Sequence, residues 1–594
     1  MSSITKIGLL ISACTLTLPV YATDQNTIIV TATRTTETVD ESLASVTVIT
    51  RDDIEKIQAT DLTEILTTVP GIDISSNGGM GKTTNLYMRG TNTGHTLVLI
   101  DGVQIGSATL GQVNYQDIPV DLIERIEIVR GPRASLYGSE ALGGVIQIFT
   151  RKATEGSHAS MTAGAGTENT TQLNAGYASK QGNTAYSVFV SGLKSEGINV
   201  RKANDPDKDG YERQSVNASI KHNLNKTDYI EFTSLISDAV NEYDGFVTTT
   251  DYQSEIHQEA LGLKGVFNAG KNWQVTLSAS QNKDESDELE NNVKIDSFNT
   301  QREALLWQND ITLNEANLFT VGLEKQDTSV SGTSGYTKNS RANNALFIQN
   351  NWTQENNDIL VSLRSDDNEA FGNHSTGSIA WGYTFGYNTR LIASAGTAFK
   401  APSFNDLYFP DVGYARGNPN VLPEESESYE VVLKQKNWQI SVYKTRIENL
   451  IAWDNASGVW TPENVNNASI RGMEFQLAMI LGDWNSQLQL SLADPRDTAT
   501  GAILNNRSRA SFAFDLDKDF GSYSIGSSLK AQSTRYAANE LPGYATIDLR
   551  ASYAVNKQLK LRAKLNNALD KNYTISDGYN TLGRNGMITV NYQF

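Results

Sequence analysis

Three aspartates, Asp205, Asp207 and Asp209, stand at alternate positions before Gly210 in the stretch Asn204–Gly210 (NDPDKDG). In an extended loop alternate side chains project to one side, so their carboxylates would converge. Calcium takes roughly six to eight hard oxygen ligands, and an acidic ladder of this kind can supply several of them. The complete helix–loop–helix calcium pattern is absent, with no Glu at its last position. Read from the residues alone, an acidic Asp-Pro turn is the favoured reading. Catalytic chemistry has less support. The five histidines, His95, His158, His222, His257 and His374, are scattered, with no HExxH pair and no nucleophile elbow. Enzyme readings are therefore poor.

The elements that would position a site are organised around Asn77–Asp101 (NGGMGKTTNLYMRGTNTGHTLVLID) and an echo of it at Arg130–Thr150 (RGPRASLYGSEALGGVIQIFT). Each contains an Arg-Gly step, Arg89-Gly90 or Arg130-Gly131, and a β-branched run, Leu97–Ile100 or Val145–Ile148. The dense glycines mark tight turns and close backbone approach. Met80–Lys82 reads as an exposed loop tip, and the runs as short strands of a compact α+β unit. No strand–GxGxxG–helix or GxxxxGK[ST] pattern supports phosphate binding. Upstream, Ser45–Thr50 alternates as a strand. Asp52 or Asp53 is expected to cap one short helix and Thr60 or Asp61 another. Leu62, Ile65, Leu66 and Val69 recur at helical spacing and should face a core. Val120–Ile123 is a further helical candidate before a strand at Arg125–Val129.

These residues resemble the plug domain of TonB-dependent outer-membrane receptors, and look closest to the cobalamin (vitamin B12) receptor branch. The resemblance runs in patches from residue 23 to Phe594. It implies that Thr27-Ile28-Ile29-Val30-Thr31-Ala32 is the TonB box, an extended segment able to add a strand to a partner's sheet edge. It also implies that Arg89, Arg130 and Arg133 face acidic residues of a surrounding barrel wall. Solute contacts would come from Thr83, Asn85, Asn92 and the Leu110-Gly111 turn, with Arg507 from the barrel; Thr83 and Asn85 are not the family's usual residues there. Cobalamin receptors carry an Asp-x-Asp-Gly loop on one hairpin and a Tyr-Asp on the next. Here these are Asp207-Lys208-Asp209-Gly210 and Tyr243-Asp244, with Asp251 a further candidate and Asn199 in place of one family carboxylate. The resemblance thereby adds calcium as a structural ion, Tyr243 joining through its backbone carbonyl. Gly396–Tyr408 and Gly417–Glu424 resemble a barrel motif of the same receptors. Haem receptors place a ligating His between its halves, and residues 402–420 contain none.

Composition agrees with this reading. Apart from the N-terminus, no stretch of about 18 apolar residues exists, which excludes a helical membrane span but not a β-barrel. Residues 1–22 read as a secretory signal, with Lys6 its one charge and cleavage expected after Ala22. A rival lipoprotein-like box, Ile11-Ser12-Ala13-Cys14, would leave a very short apolar region. Cleavage after Ala22 removes the only cysteine, so no disulfide is expected. The net charge of −18 argues against nucleic acid as a partner and suits loops facing a divalent-cation-rich, anionic outer leaflet.

From about residue 156 the pattern becomes strict alternation. Ile547, Leu549, Ala551, Tyr553 and Val555 alternate with Asp548, Arg550 and Ser552, and the same holds for Leu559–Leu565 and Ile588–Phe594. At roughly 10 residues per tilted membrane strand, the segment 156–594 holds about 22 strands and long loops. The expected architecture is an all-β transmembrane barrel of about 22 antiparallel strands with an N-terminal α+β plug domain in the lumen. Its expected divisions are 1–22 signal peptide, 23–35 TonB box and linker, 36–155 plug, and 156–594 barrel. The expected function is TonB-dependent import of cobalamin by a monomer. A ferric siderophore or haem importer on the same scaffold is the alternative. A structural or adhesive barrel fits less well, since neither plug nor box serves adhesion.

Overall fold

The computed structural model describes residues 28–201, 206–245, 250–455 and 458–594. The described chain begins with β1 (Ile28–Ile29) paired antiparallel to β2 (Glu37–Thr38). The plug follows: β3 (Ser45–Thr50), α1 (Arg51–Ile57), α2 (Leu62–Leu66), β4 (Ile72–Ser76), β5 (Thr84–Met88), β6 (Thr96–Ile100), β7 (Val103–Gln104), β8 (Ile123–Arg130), α3 (Ala134–Tyr137) and β9 (Gly144–Thr150). Its main sheet has the order β3-β8-β9-β6-β7, and β4 and β5 form a separate hairpin. The two β-branched runs of the sequence echo, in β6 and β9, are parallel neighbours, with Leu97 opposite Val145. Val98, Ile100, Ile146 and Ile148 join the plug core on one face, Leu97, Leu99 and Val145 cluster with Ala141 and Tyr137 on the other, and Gln147 accepts from Thr31 there.

Helix α1 is capped by Thr50, with Asp53 as the reciprocal member of a capping box, rather than by Asp52 or Asp53. Asp61 caps α2 as expected, and Leu62, Ile65, Leu66 and Val69 are all buried. Val120–Leu122 forms one 3-10 turn. The Met80–Lys82 expectation is corrected: Gly81 and Lys82 are buried, and Met80 packs against a cluster of barrel residues that includes Tyr211. Gly81 has a φ of +75°, and a Cβ there would lie 2.0 Å from the Tyr211 ring, so only glycine allows this approach.

From Ser157–Gly166 to Asn585–Gln593, 22 strands pair antiparallel with their sequence neighbours, and the last closes on the first through Met161 opposite Tyr592. The alternation has the expected physical result. Leu549, Tyr553, Leu561, Ile588 and Val590 face outward, while Arg550 and Lys564 are buried in the lumen. Turns on the side where the plug enters are short. Those on the far side include residues 401–423, 498–509, 533–543 and 567–584, lying between consecutive barrel strands.

Candidate solute, cation and coupling sites

The apical loops of the plug meet the long barrel loops. Thr83 is exposed, Asn85, Asn92 and Gly111 are half-buried, and the Leu110 side chain is 59% exposed. The turn that presents Leu110 is closed by Ser107 N–H donating to the Gln112 carbonyl, 2.9 Å. It is clamped from above by α4 (Phe404–Tyr408), whose Phe404 and Asn405 amides donate to the carbonyls of Ala108 and Thr109 at 3.0 and 3.1 Å. Ser403 caps α4 in a capping box with Asp406. The Gly396–Tyr408 motif, punctuated by proline in the sequence, is thus the clamp on a plug loop. Arg507 also reaches the plug. Its Nε donates to the Gly90 carbonyl at 2.8 Å, and Nη2 bonds Asn92 Oδ1. Its guanidinium lies 4.5 Å from the Tyr87 ring centroid. Arg507 is buried, and in this state it orients Asn92.

The acidic ladder converges with the next hairpin. Asp207, Asp209 and Asp244 each offer a carboxylate oxygen within 4.8 Å of the others. Asp205 lies outside the described residues. Asp251 is not part of this group, and its backbone is tied to Asn291 on a further hairpin. Tyr243 turns its hydroxyl away to donate to Glu288, 2.8 Å. Amide donors approach two of the three carboxylates, Val200 N–H at Asp209 (2.8 Å) and Arg201 N–H at Asp244 (3.1 Å). The Asn199 carbonyl accepts from Asn580 at 3.0 Å. Beneath the cluster, Lys82 of the plug donates to the Gly210 carbonyl at 3.0 Å and to Asn241 Oδ1 at 2.7 Å. Burial pushes the Lys82 ammonium down to about 8, against the pull of Asp209, Glu242 and Asp117. This donor set suits a hard cation, with Lys82 offsetting part of its charge.

Polar contacts hold the plug against the wall. Arg89 Nε bonds Glu474 at 2.8 Å and Nη2 bonds Glu430 at 2.6 Å, with the Tyr443 ring 4.4 Å away. Arg130 Nε lies 3.2 Å from the same Glu474. Arg133 donates to the Pro132 carbonyl. Gly71, at a φ of +79°, leaves room for the Glu474 carboxylate, which a Cβ would meet at 2.2 Å. His95, fully buried, lies 2.5 Å from Glu424 of the Gly417–Glu424 motif. Lys82 and the His95–Glu424 pair were not expected from the sequence. The one sequence signal for Glu424 and Glu430 is their even-numbered, lumen-facing place in the strand Glu424–Gln435.

Comparison with known proteins decides the family. The family TonB dependent receptor-like, beta-barrel matches residues 158–568, and TonB-dependent Receptor Plug Domain matches residues 38–145. The chain belongs to the TonB-dependent receptors. Vitamin B12 transporter BtuB of Photobacterium profundum is 33% identical to it, over 99% of this chain and 100% of that one. Vitamin B12 transporter BtuB of Vibrio vulnificus is 32% identical, over 96% of this chain and 95% of that one. Among solved structures, the siderophore receptor PirA from Acinetobacter baumannii shares the fold with a TM-score of 0.82 at 18% identity, covering 94% of this chain and 100% of that one. The FrpB iron transporter from Neisseria meningitidis does so with a TM-score of 0.81 at 15% identity, covering 93% and 100%. As a TonB-dependent receptor, the chain spans the outer membrane, with its short turns periplasmic and its long loops outside.

The receptor's N-terminal segment is tucked into the plug. Thr27 lies outside the described residues. Ile28 and Ile29 pair with Thr38 and Glu37. The amides of Val30 and Thr31 donate to Glu127 at 3.1 and 3.0 Å, and Tyr137 donates to the Thr31 carbonyl at 3.0 Å. Ile29, Thr31 and Ala32 are buried. The backbone groups that a partner strand would use are therefore occupied here, and strand addition requires this segment to leave its berth first.

Proposed function

We propose that this TonB-dependent receptor imports cobalamin across the outer membrane, driven by TonB pulling on Thr27–Ala32. Near-full-length similarity to two vitamin B12 transporters carries this reading. The likeness to siderophore receptors is one of fold. The apical loops bearing Thr83, Asn85, Asn92, Leu110 and Gly111 are the solute-contacting surface, with Arg507 supporting Asn92. The test is radiolabelled cobalamin binding and uptake by cells expressing the chain, with a ferric siderophore as competitor. The expected result is saturable uptake that the iron chelate does not displace. Asn92→Trp and Gly111→Trp should each weaken binding by about tenfold or more, the equivalent of about 1.4 kcal/mol. Unchanged affinity in both variants would move the pocket elsewhere.

Calcium is the second part of the proposal. Asp207, Asp209 and Asp244, with Asp205 and the Tyr243 carbonyl, would join two neighbouring extracellular loops around one ion. Clustered carboxylates repel one another, and a bound divalent cation orders the loops before solute arrives, so that less ordering accompanies binding. Cobalamin affinity should therefore rise with calcium. Asp207→Asn combined with Asp209→Asn should abolish that rise while leaving the barrel folded. Binding isotherms with and without a calcium chelator provide the measurement. Equal affinities in the unmutated receptor would reduce the cluster to a solvated acidic turn.

A further inference from the structure

Two of the long outer loops, 498–509 and 533–543, dock on the β4–β5 hairpin of the plug through one carboxylate. Asp73 of β4 is buried, and each of its oxygens is taken by a different loop. Ser508 N–H donates to Oδ2 at 2.7 Å, and Arg535 Nη2 donates to Oδ1 at 2.6 Å. Arg535 also donates to the Ile74 carbonyl at 3.0 Å and, from Nη1, to the Asn506 carbonyl at 2.8 Å. It thereby ties its own loop both to the plug and to the other loop. The two loops are further joined by a backbone bridge between Ser508 and Arg535, and Asn506 N–H donates to the Tyr536 carbonyl at 2.6 Å. Opposite Asp73 in the hairpin stands Tyr87, the ring over which Arg507 lies.

We propose that Asp73 is a positioning residue of the solute site, docking both loops on the plug and holding Arg507 where it orients Asn92. The proposal rests on the transport reading above and adds to it a residue that touches no solute. The charges of the site support it. Among the described residues, Arg507 bonds only neutral acceptors: the carbonyls of Gly90, Thr91 and Asn505 and the side-chain oxygen of Asn92. Burial works against its charge, Tyr87 and Asp73 favour it, and the neighbouring Arg535 opposes it. Asp73 is the carboxylate of that set, and it serves two buried guanidiniums at once. Its two oxygens accept from an amide and a guanidinium on separate loops, which a side-chain amide of the same shape, with one acceptor oxygen and no charge, cannot reproduce. Without the carboxylate, Arg507 and Arg535 would be buried like charges with no counter-ion, a costly arrangement. Arg507 would then turn out to water, and Asn92 would lose the donor that fixes it.

Cobalamin binding isotherms on the full-length receptor test the role. Asp73→Asn and Arg535→Gln should each weaken binding by about tenfold or more, the size expected when a buried hydrogen bond to a charged group is lost. The deciding measurement is a double-mutant cycle with Arg507→Ala. If Asp73 acts through Arg507, Asp73→Asn should change the affinity of the Arg507→Ala receptor by less than about twofold, the scatter of independent sites. A full further loss in that background would overturn the positioning role, as would undiminished affinity in both single variants. Should Asp73→Asn fail to fold, Arg535→Gln on the outer loop carries the same cycle. A second readout needs no solute. Cys14 is the only native cysteine, so a nitroxide on Ala538→Cys, exposed in the loop 533–543, reports that loop once the signal segment is removed. Its spectrum should show faster motion in Asp73→Asn, and an unchanged spectrum would overturn the docking. Failure of the unmutated receptor to bind cobalamin would overturn the solute assignment and the role at Asn92, whereas the label, read without solute, decides separately whether Asp73 docks the loops.

Discussion

Replacing Ile29 by proline should reduce cobalamin uptake to background while surface binding stays at the level of the unmutated receptor. Proline removes a backbone donor and fixes φ in the middle of the segment proposed to pair with TonB. In the resting receptor Ile29 is also buried, against a cluster containing Val46 and Val129, so the same substitution loosens the berth of the segment. The two effects are separable. Ile29→Ala loosens the packing to a similar degree but keeps the donor, and should retain most uptake. The apical loops belong to other parts of the plug and to the outer ends of the barrel, so binding should survive both changes. Uptake and binding measured on the same cells give the answer. Normal uptake by the proline variant would remove this segment from energy coupling.

The second large effect is expected at Arg89. Burial works against its charge, yet Glu430 and Glu474 more than offset that cost and keep the guanidinium firmly charged. Arg89→Met leaves two buried carboxylates with Arg130, Ser45 and Ser441 as their remaining close partners. Breaking a buried ion pair by removing one partner costs about 3–5 kcal/mol. The plug should loosen by that order, seen as faster hydrogen exchange of β8 and β9 amides with the barrel strands unchanged. Adding Glu430→Gln should recover part of the loss, since one stranded charge is then neutralised. A loss below about 1 kcal/mol, the size of an ordinary exposed pair, would show that the plug is held by packing rather than by this cluster.

Much of the architecture was legible because its cause is local. In a membrane barrel the side-chain period of two decides which residue meets lipid, so Leu549 and Ile588 could be assigned outward and Arg550 inward from their alternation. The plug core was legible for the same reason, since the helical spacing of Leu62, Ile65 and Leu66 points one face inward whatever surrounds it. Capping was only half legible. Thr50 and Asp53 form a reciprocal pair, and from sequence either acid looks able to cap alone. The Met80–Lys82 reading was wrong for a different reason. Glycines mark a turn, but whether a turn meets solvent or a neighbour depends on what stands above it, here Tyr211 and the loops beyond it.

What the sequence by itself determined is the class, an alternating-strand outer-membrane barrel with a plug, and the candidate segments at Thr27–Ala32, Asp205–Asp209 and Leu110-Gly111. Only the tertiary structure decided which of these meet. Arg89 and Glu474 are 385 residues apart, and alternation says that both face the lumen but not that they face each other. That depends on the closure of 22 strands into one cylinder and on the angular setting of the plug inside it. The same closure brings Asp244 beside Asp207 and Asp209, leaves Asp251 out, puts Lys82 beneath them, and pairs His95 with Glu424.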